Sequence, residues 1–334
     1  MGNIRSRAGD YVQVRTREEI LRTLDASGCV DKLPFMPEML AFCGRTFRVA
    51  SVAHKTCDTV HSTGGRRMQH AVHLEDARCD GAAHGGCQAA CLLFWKTAWV
   101  KPVSVDQIPP TTHTPPHVCI DDAVLYKHAR ALDDDGQERF SCQATALYDA
   151  TAPLPWWDIR QYFADVRTRN VTLGYALATL LLAAIRDFGF LSLGYRLRMS
   201  LYSRLHSWLR GRPDPHGVGR IPKGRPTPDR RLDLQVGEYV RIRGRDEILE
   251  TVNNENRNRG LNVDEEMMRY CGGRYPVASR VTHIINEKSG KMMSFQNPCI
   301  VLEGVHCLGE YTQSRLFCPR RITAYWREIW LERV

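Results

Sequence analysis

The chain opens with a short alternation. In "DYVQVRT" (10–16) apolar and polar residues take turns over the length of one strand, the mark of a half-buried β-strand. The period then changes. "REEILRTLD" (17–25) places acidic residues in its first turn and Ile20, Leu21 and Leu24 on one face, which predicts a short helix. "FMPEMLAFCG" (35–44) predicts a helical turn closed by Gly44. "FRVASVAH" (47–54) and "AVHLEDARC" (71–79) predict two strands around a loop holding Gly64 and Gly65. "QAACLLFWKTAW" (88–99) reads as a helix, because Trp95 and Trp99 stand four residues apart and so share a face.

The same succession returns later. "GDYVQVRTREEILRTLD" from Gly9 aligns with "GEYVRIRGRDEILETVN" from Gly237 at a constant shift of 228. In that register Glu38 meets Glu266, Cys43-Gly44 meets Cys271-Gly272, Val49-Ala50-Ser51 meets Val277-Ala278-Ser279, and Cys79 meets Cys307. After three extra residues in the second copy, Cys87 meets Cys318, Trp95 meets Trp326 and Trp99 meets Trp330. So long a period predicts two copies of a domain, not a solenoid. In the second copy "YPVASRVTHII" and "CIVLEGVHC" are the strands, "EKSG" is their turn, and "ITAYWREIWLERV" is the terminal helix.

A leading strand, a helical excursion and a strand meander together resemble the SH3-like small barrel. The resemblance is one of fold, and that fold hosts many unrelated functions. It implies an α+β chain: two duplicated SH3-like small β-barrel domains with flanking helices, joined by a mixed strand and helical middle segment. The boundaries expected are 1–104 for the first copy, 105–232 for the middle segment and 233–334 for the second copy.

In the middle segment, "DQIPPTTHTPPHV" (106–118) is a proline-rich, extended linker. Two strands are expected around the turn signal "DDDGQ", and a helix from about Asp158 with Trp156-Trp157 as its packing anchor. Asp121, Asp122, Asp133 and Asp134 are weighed as a hard-cation site, but they lack EF-hand spacing and read as solvated turn residues. "VTLGYALATLLLAAI" (171–185) is an almost wholly apolar helix, shorter than the ~20 residues that cross a bilayer. After it, "YRLRMSLYSRLHSWLRGR" sets Leu197, Leu201, Leu205 and Leu209 four apart, with arginines on the remaining surface. That is the composition of a helix lying in a membrane interface.

Composition narrows the class. The 334 residues are 43% hydrophobic and 25% charged, which excludes a fibrous or wholly disordered chain. The net charge of +9 is concentrated: residues 186–231 carry eleven Lys/Arg against three Asp/Glu, a local +8. A basic block of this kind suits an anionic membrane surface; a nucleic-acid partner rests on charge alone. Met1 to Arg22 lacks the apolar core of a secretory signal. The twelve cysteines are therefore expected as reduced thiols or metal ligands in the cytoplasm, with the chain at most membrane-peripheral. "MGNIRS" also fits the myristoylation pattern at Gly2 and Ser6.

Clustered thiols raise metal chemistry. Cys57, Cys79, Cys87 and Cys91, with His84 as a nitrogen donor, are the candidate ligands of the first copy; Cys299, Cys307 and Cys318 are those of the second. Zinc is the first expectation, and an iron–sulfur cluster with help from Cys119 or Cys142 the alternative. Cys43 and Cys271 read as core residues. No C-x-x-C pair occurs, and "GAAHGG" lacks the ending of a phosphate loop. A thiol nucleophile at Cys87 activated by His84 is the weakest of these. The leading functional expectation is a non-catalytic, metal-stabilised binding or scaffold protein with a protein partner. The alternatives are an accessory enzyme with a zinc or iron–sulfur centre and a nucleic-acid binder.

Overall fold

The computed structural model describes residues 6–61, 63–104, 123–187 and 194–334. The linker 106–118, Cys119, Asp121, Asp122 and most of the "MGNIRS" motif lie outside the described residues. The chain divides into two compact units. The first comprises Met1–Thr172, His283–Ser294 and Phe317–Arg320; the second comprises Leu173–Thr282, Phe295–Leu316 and Arg321–Val334.

In the first unit the opening alternation is strand β1 (Tyr11–Val14), with Val12 and Val14 buried. Helix α1 (Arg17–Leu21) is started by a capping box: Glu19 N–H donates to Thr16 Oγ1, and Thr16 N–H donates back to Glu19 at 2.9 Å. A 3-10 turn over Pro37–Phe42 follows. Next come β2 (Thr46–Val52), β3 (Lys55–Cys57), β4 (Gly65–Arg67), β5 (Ala71–Arg78), β6 (Leu92–Lys96) and β7 (Val100–Pro102). The main sheet is antiparallel, in the order β6-β5-β2-β1-β7. It curls into a half-barrel around Val14, Ile20, Leu33, Phe35, Leu74 and Trp95.

The helix expected over "QAACLLFWKTAW" is instead strand β6 and a 3-10 turn, Thr97–Trp99. All five residues of β6 are buried, so the run is apolar because both its faces are covered, not because one helical stripe is. The turn then brings Trp99 back into the same core, and Phe35 meets Trp95 and Trp99 edge-on at 6.2 and 5.2 Å.

The middle segment contributes α2 (Ala123–Ala129), a hairpin of β8 (Arg130–Leu132) and β9 (Glu138–Phe140) around "DDDGQ", α3 (Gln143–Ala146), β10 (Ala152–Leu154) and α4 (Arg160–Arg167). Strand β10 completes a small sheet with β4 and β3. Trp157 is no anchor, because it is 66% exposed.

The second unit begins with α5 (Leu173–Asp187) and α6 (Tyr195–Arg210). They run antiparallel, since Arg210 at the end of α6 stacks on Tyr175 near the start of α5. A second curled antiparallel half-barrel follows. It is built from β11 (Tyr239–Ile242), α7 (Arg245–Leu249), α8 (Glu265–Met268), β12 (Arg274–Ile285), β13 (Met292–Leu302) and β14 (Leu331–Arg333), with strand order β13-β12-β11-β14. The expected terminal helix is again absent. Trp326 bridges Ile300 as a strand residue would, and a 3-10 turn, Glu328–Trp330, leads into β14.

The same bonds occur inside each half-barrel. Val12 faces Phe47 and Val240 faces Tyr275; Val72 faces Trp95 and Ile300 faces Trp326. Trp99 Nε1 donates to Thr23 Oγ1 at 3.2 Å, and Trp330 Nε1 donates to Thr251 Oγ1 at 2.8 Å.

Candidate functional site

The glycine-rich loop between Cys79 and Cys87 is a clamped turn. Glu38, buried on the 3-10 turn Pro37–Phe42, accepts the Ala83 N–H at 3.0 Å and the His84 Nδ1 at 2.6 Å. His84 Nε2 lies 3.1 Å from the Ser141 carbonyl, so both ring nitrogens are engaged. Burial opposes charge on both partners, but their direct bond prevails: Glu38 is held below its ordinary value and His84 above it. Gly81 closes the turn at φ +72°, where an added Cβ would stand 2.1 Å from the Cys87 carbonyl oxygen.

This geometry bears directly on the cysteines. His84 is committed to Glu38 and Ser141, which removes the one nitrogen ligand from the expected zinc set. The same commitment leaves His84 no ring nitrogen to activate Cys87, whose Sγ accepts the Ile285 N–H at 3.3 Å. Cys57, Cys91 and Cys318 are brought together, but around a cation. The buried Arg320 guanidinium interacts electrostatically with all three. It is bonded to Glu287 at 2.6 Å and Thr59 Oγ1 at 2.9 Å. A fixed guanidinium among the thiols opposes a second positive ion there.

Burial pushes the Cys91 thiol up to about 12 and raises Cys79 and Cys142 as well; a raised thiol pKa disfavours the thiolate that a metal or an electrophile needs. Cys299 points at the Asn297 carbonyl and at Arg327. Cys307 belongs to the second unit while Cys318 belongs to the first. Cys43 and Cys271 pack as thiols that burial pushes up to about 11 and about 12. Among the described residues, no group of three or more His, Cys, Asp or Glu is arranged to hold a metal ion. Asp133 is consumed by its turn: it accepts the N–H of Gln137 at 2.8 Å and pairs with Lys291 at 2.7 Å.

Two buried ionic groups escaped sequence reasoning. In the first unit Asp165, fully buried on α4, accepts from Lys55 Nζ at 2.6 Å and meets His54 Nε2 at 2.8 Å. In the second, Glu310 pairs with Arg210, Arg212 and Arg269 at 2.9, 2.6 and 2.9 Å. A lysine inside an apolar strand pattern, "AHKTC", was the one local signal; nothing in spacing links it to a residue more than a hundred positions away.

α5 and α6 leave large apolar side chains exposed. α5 buries Ala176, Thr179, Leu182 and Ala183 yet exposes Leu173, Leu177 and Leu181 at 60, 59 and 49%. α6 buries Tyr202 and His206 yet exposes Leu197, Leu201 and Trp208. Arg196 and Arg204 are exposed on the same helix, and no carboxylate pairs with either among the described residues. Other cations of the basic block are already neutralised: Arg186 by Asp187, Arg220 by Glu250 and Lys223 by Glu255. No helix among the described residues is long and apolar enough to cross a membrane. The chain matches no protein-family model, and no curated protein matches it in sequence.

Proposed function

We propose that the chain is a non-catalytic binding and scaffold protein that docks on an anionic membrane surface through α5 and α6. The observation that carries this reading is the set of large apolar side chains that the two helices leave exposed. Leucines at 173, 177, 181, 197 and 201, with Trp208, face outward while Thr179 and His206 face inward. Fully covering a wholly exposed side chain of this size is worth about 1.5–3 kcal/mol, and these six are 40–78% exposed, so a surface that leaves all six open is built to be covered. Arg196 and Arg204 select the cover, because each basic residue near an anionic leaflet adds about 1 kcal/mol. A lipid interface accepts leucine, tryptophan and arginine together, as an interfacial helix requires. Nucleic acid is the poorer partner: much of the basic block is spent on internal ion pairs, and its free face is apolar.

The two half-barrels are, in this reading, a duplicated SH3-like domain that presents loops to a protein partner. Their recurring bonds, between residues that pair in the alignment of the two copies, support the duplication.

Vesicle sedimentation tests the docking. The full chain should pellet with phosphatidylserine-containing vesicles more than with pure phosphatidylcholine. Leu177→Asp and Leu201→Asp should each weaken that binding about tenfold, the scale of moving a charge into an apolar contact. Arg204→Glu should erase the preference for the anionic lipid. A chain that stays in the supernatant with anionic vesicles, or aspartate variants that bind as wild type does, would refute it.

A further inference from the structure

We propose that a cleft in the first unit binds a small organic molecule bearing a carboxylate or phosphate. The cleft has a volume of about 390 Å³, the lower end of the range for small-molecule sites. Its charged lining is Arg7 from the N-terminal arm and Arg167 from the last turn of α4, joined by the imidazoles of His54, just after β2, and His70, on the approach to β5. No Asp or Glu lines it among the described residues, and neither arginine side chain is paired with a carboxylate there. Val52 and Val72 supply an apolar floor. Guanidinium forks match the paired oxygens of carboxylate and phosphate, so the lining asks for an oxyanion attached to an apolar body.

The walls are fixed before any ligand arrives. The Ala8 N–H donates to the Thr168 carbonyl at 2.8 Å, tying the arm that carries Arg7 to the end of α4. Asn170 satisfies both backbone groups of Val52 through its side-chain amide, each at 2.8 Å. His54 is braced from below by Asp165, whose other oxygen is held by Lys55. His70 sits at φ +52°, an uncommon backbone for a non-glycine residue, and its carbonyl accepts the Thr97 N–H at 2.8 Å. The carbonyl end of α4 does not counter the arginines. Ala164, Asp165 and Val166 carbonyls are taken by the N–H groups of Thr168, Asn170 and Arg169 at 2.9, 2.9 and 3.1 Å. The backbone that carries these groups is therefore held in place before a ligand arrives, which lowers the ordering cost of binding.

Isothermal titration of the full chain with phenyl phosphate, benzoate and benzyl alcohol tests this. One or both anions should bind at one site per chain, and benzyl alcohol should not. Binding of phenyl phosphate alone assigns the site to phosphate, and binding of benzoate alone assigns it to carboxylate. Arg7→Ala and Arg167→Ala should each weaken the anion at least tenfold. Arg160→Ala, on the same helix but paired with Asp158 outside the cleft, should change nothing. Both cleft arginines are exposed, so the variants should keep the near-ultraviolet circular dichroism of the parent. Absence of binding by both anions, or equal affinity in the two cleft variants and the parent, overturns the assignment. Neither arginine lies on α5 or α6, so vesicle binding is read separately.

Discussion

Two glutamates that align at the sequence shift of 228 show how one residue takes its properties from its neighbours. Glu38 clamps a loop through a backbone N–H and the ring of His84. Glu266 clamps the corresponding loop through the N–H groups of Glu310 and Tyr311, at 2.5 and 2.7 Å, with no cation bonded to it. Burial consequently pushes Glu266 up to about 7, and the nearby carboxylates of Asp264 and Glu310 push the same way. The sign follows from linkage. Folded Glu266 holds its proton more tightly than the unfolded chain, so between about pH 4.5 and 7 folding takes up a proton. The stabilisation is full below the unfolded value and is lost as pH rises through the folded one. An upper limit for that loss is about 3 kcal/mol. Urea unfolding of the second unit should show higher stability at pH 5 than at pH 8 from this site. Glu266→Gln keeps an acceptor for both N–H groups and should flatten that part of the profile. An unchanged profile in the variant would mean that another group sets it.

At the scale of elements, what the pattern of residues made legible depended on how each run is covered. β1, β2 and β5 were legible because each has one face in the core and one outside, or is flanked by clear turns. β6 was not, because burial on both faces erases alternation, and the 3-10 turn after it returns Trp99 to the core with the spacing of a helix. The cysteine cluster was legible as a cluster but not in its chemistry. Arg320, which comes to lie among Cys57, Cys91 and Cys318, is supplied by a segment more than two hundred residues from Cys91. One glycine of the Cys79–Cys87 loop gives a sharp prediction. Gly44 and Gly81 both have positive φ, +76° and +72°, but an added methyl meets nothing within 4 Å at Gly44 and the Cys87 backbone at Gly81. Gly44→Ala should cost about 1 kcal/mol, the backbone penalty alone. Gly81→Ala should cost roughly 3 kcal/mol or more, because overpacking is added to the backbone penalty. In thermal unfolding those correspond to about 3 °C and about 10 °C for a unit of this size. Equal shifts would show that the turn is not closed against Cys87.

At the scale of the whole molecule, the units and the order of the chain part company. The first unit is completed by His283–Ser294 and Phe317–Arg320, which come from the C-terminal part of the chain. These short pieces supply bonds that the N-terminal part cannot make by itself. Gly290 accepts the Phe140 N–H at 2.8 Å, and the Ile285 N–H reaches Cys87. Lys291 neutralises Asp133, the Phe317 ring stands 5.5 Å from Lys55 Nζ, and Arg320 with Glu287 fills the space beside Cys91. A fragment ending at Thr172 would leave the Phe140 N–H and the thiols without that cover, while Lys55 and Asp165 would lose part of the apolar shell that strengthens their ion pair. Uncovering a buried pair is costly because its attraction depends on the exclusion of water. We expect the 1–172 fragment to melt at least 10 °C below the first transition of the full chain, and to be cleaved by trypsin after Arg139, beside the uncovered Phe140 N–H, under conditions the full chain survives. A peptide spanning 280–320, added in trans, should recover part of both. A fragment that melts at the full-chain temperature without the peptide would show that the first unit is stabilised by its own contiguous core, and that the two returning segments are passengers.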